Sequence, residues 1–198
     1  MIKLTVPLPK SITIACSGGV DSMAVVDFLS RKHEVTIAHF NHRTQNGEKA
    51  SEFVSKYCSD NNIPMLYGSP RSQKGSKESQ EEYWRRERYE FLSGLGPVIT
   101  CHHLDDCVET YIHSALNGTP KVIPLTRNNV LRPFLTTRKQ EFIYWCESHN
   151  VPWIEDESNK NSRYTRNYIR NELMPHALHV NPGLHTLVKK IVEGKKNT

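Results

Sequence analysis

Short apolar runs rich in β-branched residues alternate along this chain with longer stretches in which apolar positions recur every three or four residues. Residues 11–16 (SITIAC), 34–40 (EVTIAHF), 64–68 (PMLYG) and 97–101 (PVITC) read as strands, and 21–32, 47–61, 79–93 and 104–117 as the helices between and after them. Consecutive parallel strands need a crossover, and a helix in each gap supplies it. The order therefore predicts an α/β fold: a doubly wound parallel sheet with helices on both faces. After residue 118 the pattern loosens. Residues 129–135 (NVLRPFL) suit a last strand, 136–150 an amphipathic helix with Thr137 and Gln140 at capping-box spacing, and 165–178 a further helix. The polar, glycine-containing stretch 68–79 reads as a mobile loop entering a helix near Ser79, and the lysine-rich tail 193–198 as frayed.

A chain of 198 residues, 37% hydrophobic, supports one substantial core with a small appendage. The net charge of +5 is compatible with a polyanionic partner, and basic residues outnumber acidic ones from Arg163 onward. Arg163, Arg166 and Arg170 fall close together there, which makes that region the candidate phosphate-contact surface. The five cysteines, Cys16, Cys58, Cys101, Cys107 and Cys146, form no C-x-x-C pair. That favours reduced thiols in a cytoplasmic protein over a disulfide framework or structural zinc. No segment reaches the roughly 18 apolar residues of a membrane helix, so no membrane association is expected.

In an open parallel sheet, ligands bind beyond the carboxyl ends of the strands. The unusual polar residues lie at those ends: Ser17, Gly18, Gly19, Asp21 and Ser22 after the first strand, His39, Asn41 and His42 at the second, His102 and His103 at the fourth. In SGGVDS the glycines permit close backbone approach, while Ser17, Ser22 and the following helix N-terminus offer donors to an anion. A G-x-x-x-x-G-K-[ST] loop would carry a lysine, and this turn has none. Asp21 places a carboxylate near the phosphates, which makes best sense with a magnesium ion between them.

The second cluster, HHLDDCVET (102–110), opens a helix on which Glu109 can share a face with Asp105 or Asp106. Such a group can hold a metal ion, bind an ammonium or accept a proton from an amine, although the ligand spacing of a zinc site is missing. On the 79–93 helix, Arg86 is expected to be solvated and Arg88 to serve in a structural salt bridge. Arg166 and Arg170, four residues apart beside Asn167 and Tyr168, offer two guanidinium groups to RNA phosphates.

SGGVDS resembles the signature of the N-type ATP pyrophosphatases, or PP-loop enzymes, which cleave ATP between the α and β phosphates and adenylate a substrate. That implies a turn cradling pyrophosphate, with no need of a lysine. Within the superfamily the chain is most similar to the tRNA(Ile)-lysidine synthetases. The similarity runs in order through HFNH, ESQEEYWRRERYEFL, HHLDDCVET, LRPFL, WIEDESN and RYTRNYIRNELMP, across residues 12 to about 176.

The resemblance implies an adenine nucleotide alpha hydrolase-like catalytic domain over 1–135, with 136–198 a helical extension of the same domain contacting tRNA. It implies ATP and magnesium as cofactors. The reaction would adenylate C2 of the wobble cytidine of a CAU-anticodon tRNA(Ile) and then attach free L-lysine, forming lysidine. Ser17, Gly18, Gly19, Val20, Asp21 and Ser22 would bind ATP, with His39, Asn41 and His103 bordering the nucleotide and Asp21 holding the magnesium. Asp106 and Glu109 would receive the lysine amine, and Arg85 would stabilise charge on the activated cytidine, so that Asp21, Arg85, Asp106 and Glu109 form the catalytic set. Arg132, Arg163, Arg166, Asn167 and Arg170 would bind tRNA.

Three departures stand out. Cys107 occupies a position where the family usually has glutamine, RTQ follows HFNH in place of a leucine-arginine stretch, and the sequence stops soon after the catalytic domain. The last suggests a minimal enzyme without the family's C-terminal domains. The oligomeric state is left open, a homodimer being one option. The competing readings are a PP-loop tRNA thiolase using Cys101 or Cys107 as a persulfide carrier, and a non-catalytic tRNA-binding module.

Overall fold

A computed structural model of the chain describes residues 1–155 and 165–194. Strand β1 (Ser11–Ala15) turns into α1 (Val20–Ser30), followed by β2 (Glu34–Phe40), α2 (Gln45–Asp60), β3 (Met65–Gly68), α3 (Gln80–Ser93), β4 (Val98–Ile99) and α4 (Leu104–Leu116). A small hairpin of β5 (Thr126–Arg127) and β6 (Val130–Leu131) precedes α5 (Lys139–His149). The C-terminal part holds α6 (Thr165–Tyr168), a π-helical turn (Ile169–Leu173), α7 (Met174–Val180) and α8 (Leu184–Val192).

The six strands form one sheet in the order β3-β2-β1-β4-β6-β5, parallel except for the last pair. The expected parallel α/β architecture is therefore present. Strand order reverses between β1 and β4, the place where a doubly wound sheet opens a crevice at its carboxyl edge. Pairing of Thr13 with Val98 and Ile14 with Ile99 sets the residues after Ala15 beside those after Ile99, so the register brings the SGGVDS turn and the two histidines to one place.

Burial on both faces explains why these strands carry apolar runs instead of strict alternation. Helix α1 buries Met23, Ala24, Val25, Val26 and Leu29 between the sheet and α5. Phe134 stacks edge-to-face against Phe28 and Phe142, with centroids 6.5 and 5.8 Å away. Phe142, Cys146 and Val151 share one core cluster with Ile12, Ile14 and Ile37 of the sheet. Gly68 sits where β3 passes Phe91: a Cβ there would lie 2.5 Å from that ring.

Several expectations change. The capping box on α3 forms, Ser79 with Glu82, but the one expected from Thr137 and Gln140 does not. The Thr137 hydroxyl instead accepts from the Lys3 N–H and donates to the Lys3 carbonyl, at 3.1 Å each, tying down the N-terminal segment. The 69–78 stretch, expected to be mobile, is anchored: the buried Glu87 carboxylate accepts from the Arg71 and Ser72 N–H groups at 2.6 and 3.2 Å and from the Ser72 hydroxyl. Arg86 is exposed, as expected, and also pairs with Glu78 and Glu87. Strand β5 and helix α8 had no sequence expectation. The apolar face of α8, Leu184 and Val188, packs with Leu104 and Val108 of α4.

Phe134 is fully buried among aromatic rings, and truncation to Ala leaves a cavity that rigid neighbours close only in part. Phe134→Ala is expected to lower unfolding free energy by about 3–5 kcal/mol, measured by urea denaturation.

Candidate active site

The turn after β1 owes its shape to Gly18, whose φ of +86° lies in the left-handed region. A Cβ at Gly18 would press to 3.2 Å from Val54 and 3.3 Å from Ile154, and the Ile154 N–H donates to the Gly18 carbonyl at 3.0 Å. The segment 151–155 thus lies against the turn. Ser22 is buried, its hydroxyl donating to the Gly19 carbonyl at 2.9 Å and accepting the Ser17 N–H at 3.2 Å. In this structure it shapes the turn from inside. Ser17 is exposed. Gly19 is the N-cap of α1 and no side chain caps the helix, so the first-turn N–H groups face the crevice as an anion site. Val20 opens α1, its carbonyl accepting from the Cys146 thiol at 3.7 Å.

His39 is also a supporting residue. Its Nδ1 bonds the Cys16 carbonyl and its Nε2 the Ser51 hydroxyl, both at 2.9 Å, which spends both nitrogens inside the protein. Asn41 is buried, accepting the Arg43 N–H at 2.7 Å and donating to the Tyr67 hydroxyl at 3.0 Å. Both hold the turn and strand ends in place.

Asp21 sits in the first turn of α1. Its Oδ1 is buried without a hydrogen-bond partner, and its Oδ2 lies 3.5 Å from His103 Nε2. Among the described residues no group of three side chains is placed to hold a metal by protein ligands alone. One bare carboxylate oxygen beside an anion cradle fits magnesium, which takes its remaining ligands from phosphate and water.

His103 is the N-cap of α4: its Nδ1 accepts the Asp106 N–H at 3.4 Å while Asp106 Oδ2 accepts the His103 N–H at 3.0 Å. Burial disfavours its cation, but Asp106, Asp21 and Asp105 together outweigh burial and raise its pKa above the ordinary imidazole value. His102 differs. Burial, with Arg166, Arg132 and Arg88 nearby, depresses it to about 3 despite Asp106, and it stays neutral. Of the adjacent aspartates, Asp105 is structural: it accepts from the Lys139 N–H at 2.8 Å and bonds His185 Nε2 at 3.0 Å, joining α4 to α5 and α8.

Asp106 and Glu109 form the expected pair on one face of α4, buried at 6% and 3% exposure. They are met by Arg166 and Arg170. Arg166 donates to Glu109 at 3.1 Å and to Asp106 at 2.7 Å; Arg170 donates to Glu109 at 2.5 Å and to Asp106 at 3.1 Å. Burial penalises the Asp106 carboxylate, yet His103, Arg166 and His102 hold its pKa far below the usual range. The two arginines expected to face RNA therefore close over the acidic pair. The sequence gives no signal that Asp106 and Glu109 are partners of Arg170, because the contact spans 61 to 64 positions.

Arg132, also expected to face RNA, is 3% exposed, donating to the Pro124 carbonyl at 3.1 Å and to the Tyr89 hydroxyl at 3.4 Å. Burial takes it off the surface. Arg85 is exposed, its guanidinium 4.9 Å from the Tyr89 ring centroid. Arg88, expected in a salt bridge, lies 5.6 Å from the same ring, and no ion pair to it is present among the described residues. Asn167 lies half-buried on α6, and Arg163 lies outside the described residues.

Comparisons with known proteins agree with this geometry. The pattern of the PP-loop domain matches residues 6–177. A tRNA(Ile)-lysidine synthase of Thermotoga maritima is 32% identical over 202 aligned positions, covering 92% of this chain and 49% of that protein. One from Haemophilus ducreyi is 27% identical, covering 93% of this chain and 46% of its own length. The chain thus spans about half the length of the curated relatives it matches. Among solved structures, the NH3-dependent NAD synthetase of Campylobacter jejuni superposes with a TM-score of 0.53 at 16% identity, over 97% of this chain and 90% of that one, a likeness of fold. With an uncapped helix N-terminus behind a left-handed glycine, a bare carboxylate beside it, and the sequence pattern matched from residue 6 to residue 177, the chain belongs to the PP-loop family.

Proposed function

We propose that this chain carries out the chemistry of a tRNA(Ile)-lysidine synthetase. The observation that carries the proposal is an anion site and a cation site joined through one histidine: the SGGVDS turn and Asp21 on one side of His103, Asp106 and Glu109 on the other. A ligase that activates with ATP and then admits an amine needs both sites within reach of one carbon.

In the first step the C2 oxygen of the wobble cytidine attacks the α-phosphorus of ATP; the new P–O bond forms as the bond to the departing pyrophosphate breaks. The Ser17 hydroxyl and the first-turn N–H groups of α1 receive the pyrophosphate, and Asp21 holds magnesium. Magnesium, when bound, offsets phosphate charge that would otherwise repel Asp21. In the second step the lysine ε-nitrogen bonds to C2, the C–O bond breaks and AMP leaves. Arg85 would offset negative charge on the adenylate.

Asp106 and Glu109 seat the lysine ammonium. Together they fix the nitrogen in line with C2, and a carboxylate released from the arginines is positioned to help take the amine proton on to water. Arg166 and Arg170 must yield these carboxylates when lysine enters, and RNA phosphates are chemically suited to take the guanidiniums in exchange. The partners are therefore a CAU-anticodon tRNA(Ile) and free L-lysine.

The thiolase reading needs a thiolate. Burial pushes Cys101 well above its ordinary pKa and Cys107 up to about 12, which leaves both inert at neutral pH. A module that only grips RNA gains nothing from the buried Asp106 and Glu109 pair on α4.

The test is incubation with magnesium, ATP, labelled lysine and an unmodified CAU-anticodon tRNA(Ile), followed by nucleoside mass analysis. The expected product is a cytidine heavier by lysine minus water. Asp106→Asn is expected to reduce lysine transfer by about 10²–10³-fold while RNA-dependent pyrophosphate release continues. Equal loss of both would remove Asp106 from the amine site. Pyrophosphate release without lysine transfer by the unaltered protein would point to another nucleophile.

The arginine clasp has its own pH signature. The depressed pKa of Asp106 adds stability above its unfolded value of about 3.9, and that stability disappears as pH falls through the folded value. Arg170→Ala is expected to cost about 2 kcal/mol at neutral pH, between the values for exposed and buried pairs. The penalty should shrink once acid protonates the carboxylates. Urea denaturation at neutral and acid pH measures it; a pH-independent penalty would assign the loss to packing.

A further inference from the structure

A groove of about 930 Å³ runs between the anchored 72–78 segment, helix α3 and the tip of the β5–β6 hairpin, lined by Ser72, Arg85, Arg86, Tyr89, Arg127 and Asn128 among others. Its acidic neighbours are already committed. Glu78 spends its oxygens on Arg86 and on the Gly75 N–H, and Glu82 caps the Ser79 N–H at 2.8 Å. Arg86 is in turn neutralised by Glu78 and Glu87. Two cations are left over, Arg85 and Arg127, both exposed, and neither has a carboxylate partner among the described residues. Glu78, Glu82 and Glu87 match the three arginines in number, but Arg85 and Arg127 stand outside any direct ion pair among the described residues, so the groove offers two guanidiniums to a ligand.

Its inner wall is tied to the central sheet. Tyr89 forms part of the wall and bonds Arg132 through its hydroxyl, and Arg132 follows directly on β6, which pairs with β4 ahead of His102. At the outer end the hairpin turns through Asn128, whose φ of +54° makes the reversal tight and sets Arg127 at the tip. Val130, buried on β6, fixes that tip to the sheet. A volume of this size exceeds what one inorganic anion needs. An extended single strand, with spaced phosphates and bases able to lie against arginine planes and tyrosine, fits it.

We propose that this groove seats the RNA strand adjoining the target nucleotide, with Arg127 on its phosphates. This rests on the function proposed above and adds a contact surface separate from Arg166, Asn167 and Arg170. Because Arg127 belongs to neither the phosphate turn nor the acidic pair, its substitution is expected to leave adenine nucleotide binding unchanged.

The experiment is fluorescence anisotropy of a labelled CAU-anticodon hairpin against the full chain across a salt series, with Arg127→Ala, Arg127→Glu and Arg127→Lys. Arg127→Glu is expected to weaken binding about tenfold, with the slope of log K against log salt reduced in magnitude by about 0.7–1. Arg127→Lys should recover most of the affinity, and affinity for a non-hydrolysable ATP analogue should not move. Hairpin binding within twofold of the unaltered protein in all three variants, alongside intact RNA-dependent pyrophosphate release, would overturn the groove and leave the function standing. An equal loss of binding to a polyglutamate control would also overturn it, marking a patch for any polyanion. If the unaltered protein neither binds the hairpin nor releases pyrophosphate with it, both the function and the groove fall.

Discussion

Two carboxylates buried at the start of α4, Asp106 and Glu109, are the constraint around which the catalytic face is organised. A buried carboxylate is tolerated only when paired and hydrogen-bonded. Asp106 meets that demand with the His103 N–H, Arg166 and Arg170; Glu109 meets it with the same two arginines. Meeting it fixes the N-cap of α4, the position of His103 and the docking of the C-terminal helices. Arg170 comes from a π-helical turn, where one wide turn re-aims side chains that a regular helix would send elsewhere.

The two adjacent aspartates show how tertiary partners divide like residues into different roles. Asp105 points to His185 and the start of α5 and holds helices together. Asp106 points to the crevice. Serines in the phosphate turn divide the same way: Ser22 shapes the turn from inside, while Ser17 faces out. His103 connects the halves, because its ring reaches Asp21 on one side and Asp106 on the other, at 3.5 and 3.6 Å. Phosphate turn and acidic pair thereby feel each other's charge.

The parallel sheet and the place of the crevice were legible in the sequence because both depend on local pattern. Apolar runs separated by helical periods allow few topologies, and handedness rules prune the rest. SGGVDS and HHLDD are contiguous, so their arrangement follows once the strands before them pair. Charge partners were less legible. Arg86 seemed a surface residue on its own helix, and only the fold brings Glu78 and Glu87 to it. Arg132 is the one cation of LRPFL, and the fold buries it, bonded to the Tyr89 hydroxyl.

By itself the sequence determined which strand ends carry the clustered polar residues, since that follows from short-range pattern and from backbone preferences such as that of Gly18. Tertiary structure alone decided who neutralises whom. Arg166 and Arg170 could have faced solvent or phosphate, and the choice between those and Asp106 and Glu109 depends on docking α6 and the π-helical turn against α4. Coulomb energy depends on distance and dielectric, and neither exists until distant segments have packed together and excluded water.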